Sequence, residues 1–459
     1  LAPAMAQRIL GFRSMPRLFT KFFFLMLIAE TGDFYCSLWN TPLSYIYSIF
    51  LEWLPIKISI FEIACITLAV LSPKRPIDRQ VSNGPLYKAI KVSFLACFIW
   101  AIYGLATGGQ AKPINQQLHA FVFGLTMAMN ASMVLRTTAD FERLGRMIVY
   151  ACWFRSTMGF IFWAFIIPSL GLSGERYPPY MTTHHDTVLS VLALSILIST
   201  AIQLRTRASL RNAVFGGLYI FAAIQVNNRR LAWASLAACL MMIYLMLPKN
   251  KVKQAIKRAI LIVSPVILLY VAVGWGRPEP IFAPIRSLSS MGVGKIDNST
   301  KARDNENLSM LRMIHDRPLR GFGWGVEWIE ADTSLGVRLN VFPMYHYIPH
   351  NSVLAMYTFT GAIGFFFHWI PLFVGSFLNA RIYRKARHPI ERAAGMSGLC
   401  GIVIYMNQMW GDMGIYSPLA CWLMGACLAV GARLSFTSGV WPNLPAPTAA
   451  PTRRPARRG

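Results

Sequence analysis

Apolar runs long enough to cross a bilayer, about 20 residues each, recur twelve times along this chain. They fall near residues 18–37, 56–73, 91–107, 115–135, 147–170, 186–203, 212–227, 231–248, 259–276, 351–377, 394–411 and 417–434. In hydrocarbon every backbone N–H and C=O must be satisfied within the segment or by a closed barrel. Runs of this length and continuous apolarity read as helices, so the expected fold is an all-α polytopic membrane protein with about 12 transmembrane helices. Composition agrees: 55% of residues are hydrophobic and 14% charged, where a soluble domain carries about 25% charged. Residues 41–55 form an extra amphipathic stretch suited to the membrane interface.

The formal charge of +26 first suggests nucleic acid, but no basic domain lies outside the apolar runs, so no nucleic-acid partner is expected. The basic residues instead sort by loop. With the N-terminus inside, the inner segments hold 30 of the 45 Lys and Arg, and nine of the remainder sit in the single long segment 277–350. Short loops set topology and long ones are discounted, so both termini are predicted cytoplasmic and 277–350 extracytoplasmic. The implied organisation is nine helices over 1–276, a loop domain over 277–350, three helices over 351–435, and a disordered basic tail over 436–459 that touches anionic headgroups. Membrane lipids are thus expected partners. No cleavable leader is expected, since Arg8, Arg13, Arg17 and Lys21 precede the first run. Of eight cysteines, seven lie inside apolar runs and none forms C-x-x-C; they read as small core residues.

So apolar a chain offers few groups for chemistry. His350-Asn351 stands where the long loop meets the tenth run, followed by Gly361 and Gly364. Histidine exchanges a proton near neutral pH, so His350 is a candidate base at a membrane surface; it reads equally as a satisfied interfacial residue. Asn351 suits an N-cap, and the two glycines suit close helix packing. Arg229-Arg230 occupy a short outer turn, where topology disfavours positive charge, and guanidinium is suited to bidentate phosphate contacts. Arg303, read alone, is a solvated loop arginine paired with a nearby acid. Arg155 falls mid-span and needs a partner; Glu30 and Asp33 are the candidates. Asp412 either orients a substrate hydroxyl or faces water. Asn307–His315 forms a short helix ending before Arg317-Pro318, and Gly321, Gly323 and Gly325 supply turn geometry. Metal catalysis has little support: there is no H-E-x-x-H, and His184-His185-Asp186 cannot all face one ion.

The pattern H-N-x9-G-x-x-G at His350-Asn351…Gly361…Gly364 resembles the O-antigen ligase family. So does the long outer loop before the tenth run. That family lies within a wider group that includes O-antigen polymerases and O-oligosaccharyltransferases. The segment Met313–Gly323, with its P-L-x-G-x-G, and Asn228-Arg229-Arg230-Leu231-Ala232-Trp233 are similar to elements of that group. Arg303 sits where ligases often carry R-x3-L, but here Leu308 is five residues on.

The resemblance covers mainly 225–365. It implies a GT-C-like glycosyltransferase of a bacterial inner membrane with a periplasmic site. The donor would be undecaprenyl pyrophosphate carrying O-antigen and the acceptor lipid A–core. His350 would be the base, and Arg229, Arg230 and Arg303 would hold the pyrophosphate; no metal or cofactor is implied. The alternatives are a polymerase, whose acceptor is another lipid-linked glycan, and a transporter or flippase of lipid-linked saccharide. The latter class often shows internal repeats, and none is found.

Overall fold

The computed structural model describes residues 14–29, 60–169, 182–227, 229–275, 298–331 and 346–442, with Arg277, Glu279, Phe282 and Ile285 singly between. Every regular element among them is helical. In chain order these are α1 (Met15–Ala29), α2 (Ile60–Leu71), α3 (Pro76–Ser82), α4 (Pro85–Ala106), α5 (Ala111–Val134) and α6 (Thr138–Ile161), the last continuing through a π turn to Ser169. Then come α7 (Asp186–Leu204), α8 (Arg207–Arg211), α9 (Gly217–Asn227), α10 (Arg230–Met246), α11 (Lys251–Gly274), α12 (Asn298–Asp316), α13 (Ser352–Lys385), α14 (Pro389–Gly411) and α15 (Pro418–Thr437).

A helix coincides with each of the twelve predicted runs. Seven are long and apolar enough to cross a membrane: α4, α6, α7, α8 with α9, α11, α13 and α15. This is a multi-pass membrane protein. The other five fall short for visible reasons. Helices α2 and α10 are short, and α1 is described only to Ala29. Helix α5 carries Lys112, Asn115, Gln116, Gln117 and His119 in its first turns, and α14 opens on Glu391-Arg392. The interfacial stretch 41–55, Glu30, Asp33 and Cys36 lie outside the described residues. The seven described cysteines are buried and unpaired as disulfides.

The core is centred on α15, almost wholly buried, which packs chiefly on α5, α14 and α13. Small residues let it do so: Gly425 on α15 and Gly124 on α5 face each other so closely that a Cβ on Gly425 would lie 2.2 Å from the Gly124 carbonyl oxygen. This is the packing by close backbone approach expected where lipid supplies no hydrophobic drive. At one end of the bundle a buried ion network closes the core, with Arg433 and Arg136 (3.3 Å) both on Asp78. Residues 436–442, placed in the tail by the sequence, are among the described residues. Through Trp441 the chain is still packed: Val440 is buried, its carbonyl accepts from Arg381 Nε at 2.6 Å, and the Arg381 guanidinium lies over the Trp441 ring. Residues 443–459 lie outside the described set.

Helix α11 behaves differently. Apart from Gly274 none of its residues is buried, and its apolar side chains point out on every side. A helix apolar all round is at home only in a core or in lipid, and among the described residues no core surrounds α11.

Candidate functional site

The helix expected at Asn307–His315 is real but longer. It starts by Asn298, and the added turns matter because they carry Arg303 and Glu306. Asp304, Asn305 and Asn307 are poor helix formers and hide it. The usable signal is burial phasing: Glu306, Ser309, Met310 and Met313 form one buried stripe, the i, i+3, i+4, i+7 spacing of an amphipathic helix. Met310 and Met313 pack on Trp328, with Phe322 and Leu354 alongside. The helix stops at Asp316, just before Arg317-Pro318, as the proline requires.

This stripe brings Glu306 to His350. The Glu306 carboxylate, 2% exposed, accepts from the His350 backbone N–H and lies 2.9 Å from His350 Nδ1. A carboxylate there takes an Nδ1–H. That makes Nε2 the lone-pair nitrogen. The imidazole is 21% exposed, so the pair faces outward from a buried anchor. Sequence reasoning named His350 and missed Glu306. Asn351 does cap α13, its side chain accepting from Leu354 N–H at 3.1 Å. The Tyr416 phenol beside them is pushed up by burial first and the Glu306 charge second, so it stays a neutral hydroxyl.

The segment Gly411-Asp412-Met413 joins the remaining candidates. The Met413 N–H donates to the His350 carbonyl at 2.6 Å. Arg303, one helical turn before Glu306, donates from Nη1 to the Gly411 carbonyl at 3.2 Å and sets Nη2 3.8 Å from Asp412. It is partly exposed and faces an acid, as expected, but from a helix, and the acid is Asp412, far along the chain. Asp412, expected to face water or a substrate hydroxyl, is buried and turned to Arg303 and to His184 Nδ1, 3.9 Å away. Leu231, next to Arg230, lies against Gly411, where a Cβ would meet its Cδ1 at 2.7 Å. Arg229 and Arg230 at the start of α10 thus stand beside the segment that holds Arg303, and Asn227 just before them accepts from Thr182 N–H at 2.9 Å.

Arg155 is ion-paired and buried, as expected: Asp186 of α7 is one partner, and Arg155 Nη1 donates to the Leu27 carbonyl at 3.1 Å, while the expected partners Glu30 and Asp33 lie outside the described residues. Sequence spacing could not show that α6 and α7 pack side by side. His184-His185-Asp186 accordingly divides its contacts: Asp186 takes Arg155 while His184 faces Asp412. Among the described residues no three His, Cys, Asp or Glu gather as a metal cage.

Gly361 and Gly364 do more than allow packing. At Gly361 the backbone leaves helical geometry (φ 62°, ψ −176°), a region open to glycine alone. The break frees backbone groups that the loop 317–325 takes up. Phe322 and Gly323 N–H donate to the Thr358 and Phe359 carbonyls at 3.1 and 2.7 Å. Ala362 and Ile363 N–H donate to the Pro318 and Leu319 carbonyls at 2.8 and 3.2 Å. Gly321, Gly323 and Gly325 all have positive φ, as the expected turn geometry requires, and Gly323 lies on Gly104 of α4, where a Cβ would be 2.3 Å from its Cα. Gly364 makes room for Trp100, whose Nε1 donates to the Arg320 carbonyl at 2.8 Å. The two glycine motifs are halves of one joint, and that joint fixes the end of α13 from which His350 projects.

Fold and site together define a multi-pass membrane protein with a carboxylate-held histidine and a set of arginines at one end of its helix bundle. Residues 215–368, about a third of the chain, match the family model Wzy_C, described as O-antigen ligase. The match takes in Arg229, Arg230, Arg303, Glu306, His350, Gly361 and Gly364 but ends before Asp412. It agrees with the group resembled by the motifs. No curated protein matches the chain.

If the carboxylate fixes the ring, Glu306→Gln should lower turnover about 10²–10⁴-fold, since an orienting carboxylate is worth up to that beside a catalytic histidine. The amide nearly preserves shape, so thermal stability should move little by comparison. Turnover within a few-fold of wild type would remove Glu306 from the site.

Proposed function

We propose that this protein is an O-antigen ligase: a GT-C-like glycosyltransferase of a bacterial inner membrane, with all twelve helices spanning, both termini cytoplasmic and the His350 end periplasmic. It moves a glycan from undecaprenyl pyrophosphate to lipid A–core. The observation that carries this reading is the His350–Glu306 pair with Arg303 one turn away on the same helix, inside the segment matched to that family. Basic clusters at 136–146, 205–211, 249–258 and 381–392 lie at the other end of the bundle, which supports the orientation.

The chemistry is a single displacement. His350 Nε2 accepts the proton of the acceptor hydroxyl while its oxygen bonds to the anomeric carbon. The bond from that carbon to the pyrophosphate oxygen breaks, and the electron pair leaves with the pyrophosphate. Attack from the opposite face inverts the configuration. Charge grows on the leaving pyrophosphate, and fixed cations placed there are effective because they need no reorganisation. Arg229, Arg230 and Arg303 serve that role, with Asp412 holding Arg303 in place or meeting the acceptor hydroxyl. The polyprenyl tail remains in lipid along the exposed apolar faces of α9 and α10, which lead up to Arg229-Arg230.

The test is incubation of purified protein with lipid-linked glycan and lipid A–core, followed by product analysis. Lipid A–core bearing glycan is the expected product. Elongated lipid-linked glycan would indicate a polymerase, and donor moved across the membrane without transfer a flippase. In the same assay Arg229→Ala/Arg230→Ala should impair donor use, and Arg230→Lys should rescue poorly, because lysine lacks the bidentate fork. Unchanged donor consumption by the double variant would leave these arginines as lipid contacts. Turnover should also persist in excess EDTA, since guanidinium groups neutralise the leaving group. Activity lost to chelator and restored by magnesium would overturn the arginine-only scheme.

A further inference from the structure

A second cavity opens at the opposite end of the bundle and takes no part in the proposed reaction. Helix α7 starts beside the candidate site at Asp186 and ends at Leu204, so its 19 residues carry the chain about 28 Å away. There α6, α7, α8, α14 and α15 line an open pocket of about 480 Å³, within the range of about 300–1,000 Å³ typical of ligand sites. Leu144, Ile148, Trp153, Ile196 and Ala394 line an apolar interior, and Thr206, Ser209 and Asn212 stand at a polar mouth.

The charges around that mouth do not balance. Arg143 and Arg146 are offset by Asp140 at 3.3 Å and Glu142 at 2.8 Å. Arg205, Arg207 and Arg211 are exposed and make no ion pair among the described residues. Arg207 and Arg211 are four apart on α8 and so share one face, while Ala208, Ser209 and Asn212 on its neighbouring face line the cavity. A hydrocarbon slot beneath an uncompensated arginine pair fits a molecule with a long apolar chain and a negative head.

We infer that this cavity holds one acyl chain of an anionic glycerophospholipid from the leaflet at that end, its phosphate set against Arg207 and Arg211. The site is independent of the glycan chemistry and would stand if that reading failed.

The experiment is native mass spectrometry of the full chain in mild detergent, titrated with palmitoyl-oleoyl phosphatidylglycerol or with phosphatidylcholine of the same chains. The wild type should retain one phosphatidylglycerol in preference to phosphatidylcholine by about tenfold or more, the order expected for two arginines at a membrane surface. Arg207→Gln/Arg211→Gln should abolish the preference. Ala394→Trp, which fills the interior, and Ala208→Trp, at the exposed rim, should lower retention of both lipids. Equal retention by the wild type overturns the inference. So does phosphatidylglycerol retention indifferent to Ala208→Trp and to the arginine pair, two changes at exposed positions that decide the matter even if Ala394→Trp does not fold. Displacement of phosphatidylglycerol by equimolar undecaprenyl phosphate would overturn it too, and reassign the cavity to the isoprenoid.

Discussion

The His350→Ala protein is expected to insert and fold, yet to transfer glycan about 10²–10⁴-fold more slowly, the usual worth of a general base. The expectation of normal folding rests on what the substitution leaves. The backbone N–H of His350 still donates to Glu306, and its carbonyl still accepts from Met413 N–H. Only the ring is lost, and it is partly exposed. The buried Glu306 loses one contact, a cost of about 1–3 kcal/mol, which a shift in thermal unfolding would register. The readout is turnover per folded molecule, with donor binding measured separately. Slow turnover with donor binding intact fits a base. Lost donor binding would instead make His350 part of the pyrophosphate site, and near-wild-type transfer would sink the assignment.

The second large effect concerns folding. Gly361→Ala should destabilise the joint by about 3 kcal/mol or more, from a forbidden backbone region together with weakened loop hydrogen bonds. A Cβ at 361 would sit 2.3 Å from the Leu319 carbonyl carbon and 2.4 Å from Arg320 N, both backbone atoms with no freedom to swing aside. At Gly364 the nearest obstacles are side-chain atoms of Thr360 and Trp100, so Gly364→Ala should cost less. Thermal unfolding and protease cleavage within 317–331 measure both. Cleavage at wild-type rates in Gly361→Ala, with unchanged unfolding, would falsify the joint.

These two residues mark what sequence could and could not disclose. The helices were legible because lipid forces long apolar runs, and His350-Asn351 was legible because it stands where the long polar loop meets one. Asn351 announced its cap by residue type and position. Gly361 was visible as a motif, but its purpose was not. The partner that needs a glycine lies some forty residues earlier, and nothing local records the pairing. Glu306 was hidden for a different reason. Residues 303–307 are all polar and three of them are charged, and only the burial phase of α12 shows that Asn305 and Glu306 turn inward. Asp186 shows the same limit: an acid at the start of a span looks like a helix-end residue until the next helix presents Arg155.

The way the site is assembled sets when it can exist. His184, Arg229-Arg230, Arg303 with Glu306, and His350 come from four stretches of chain, and Gly411-Asp412-Met413, which links them, is synthesised after all of them. Chains emerge and insert N-terminus first. A nascent protein therefore carries its histidine and arginines in the membrane before the segment that aligns them arrives. A chain that stops before α14 therefore holds these side chains without the segment that aligns them.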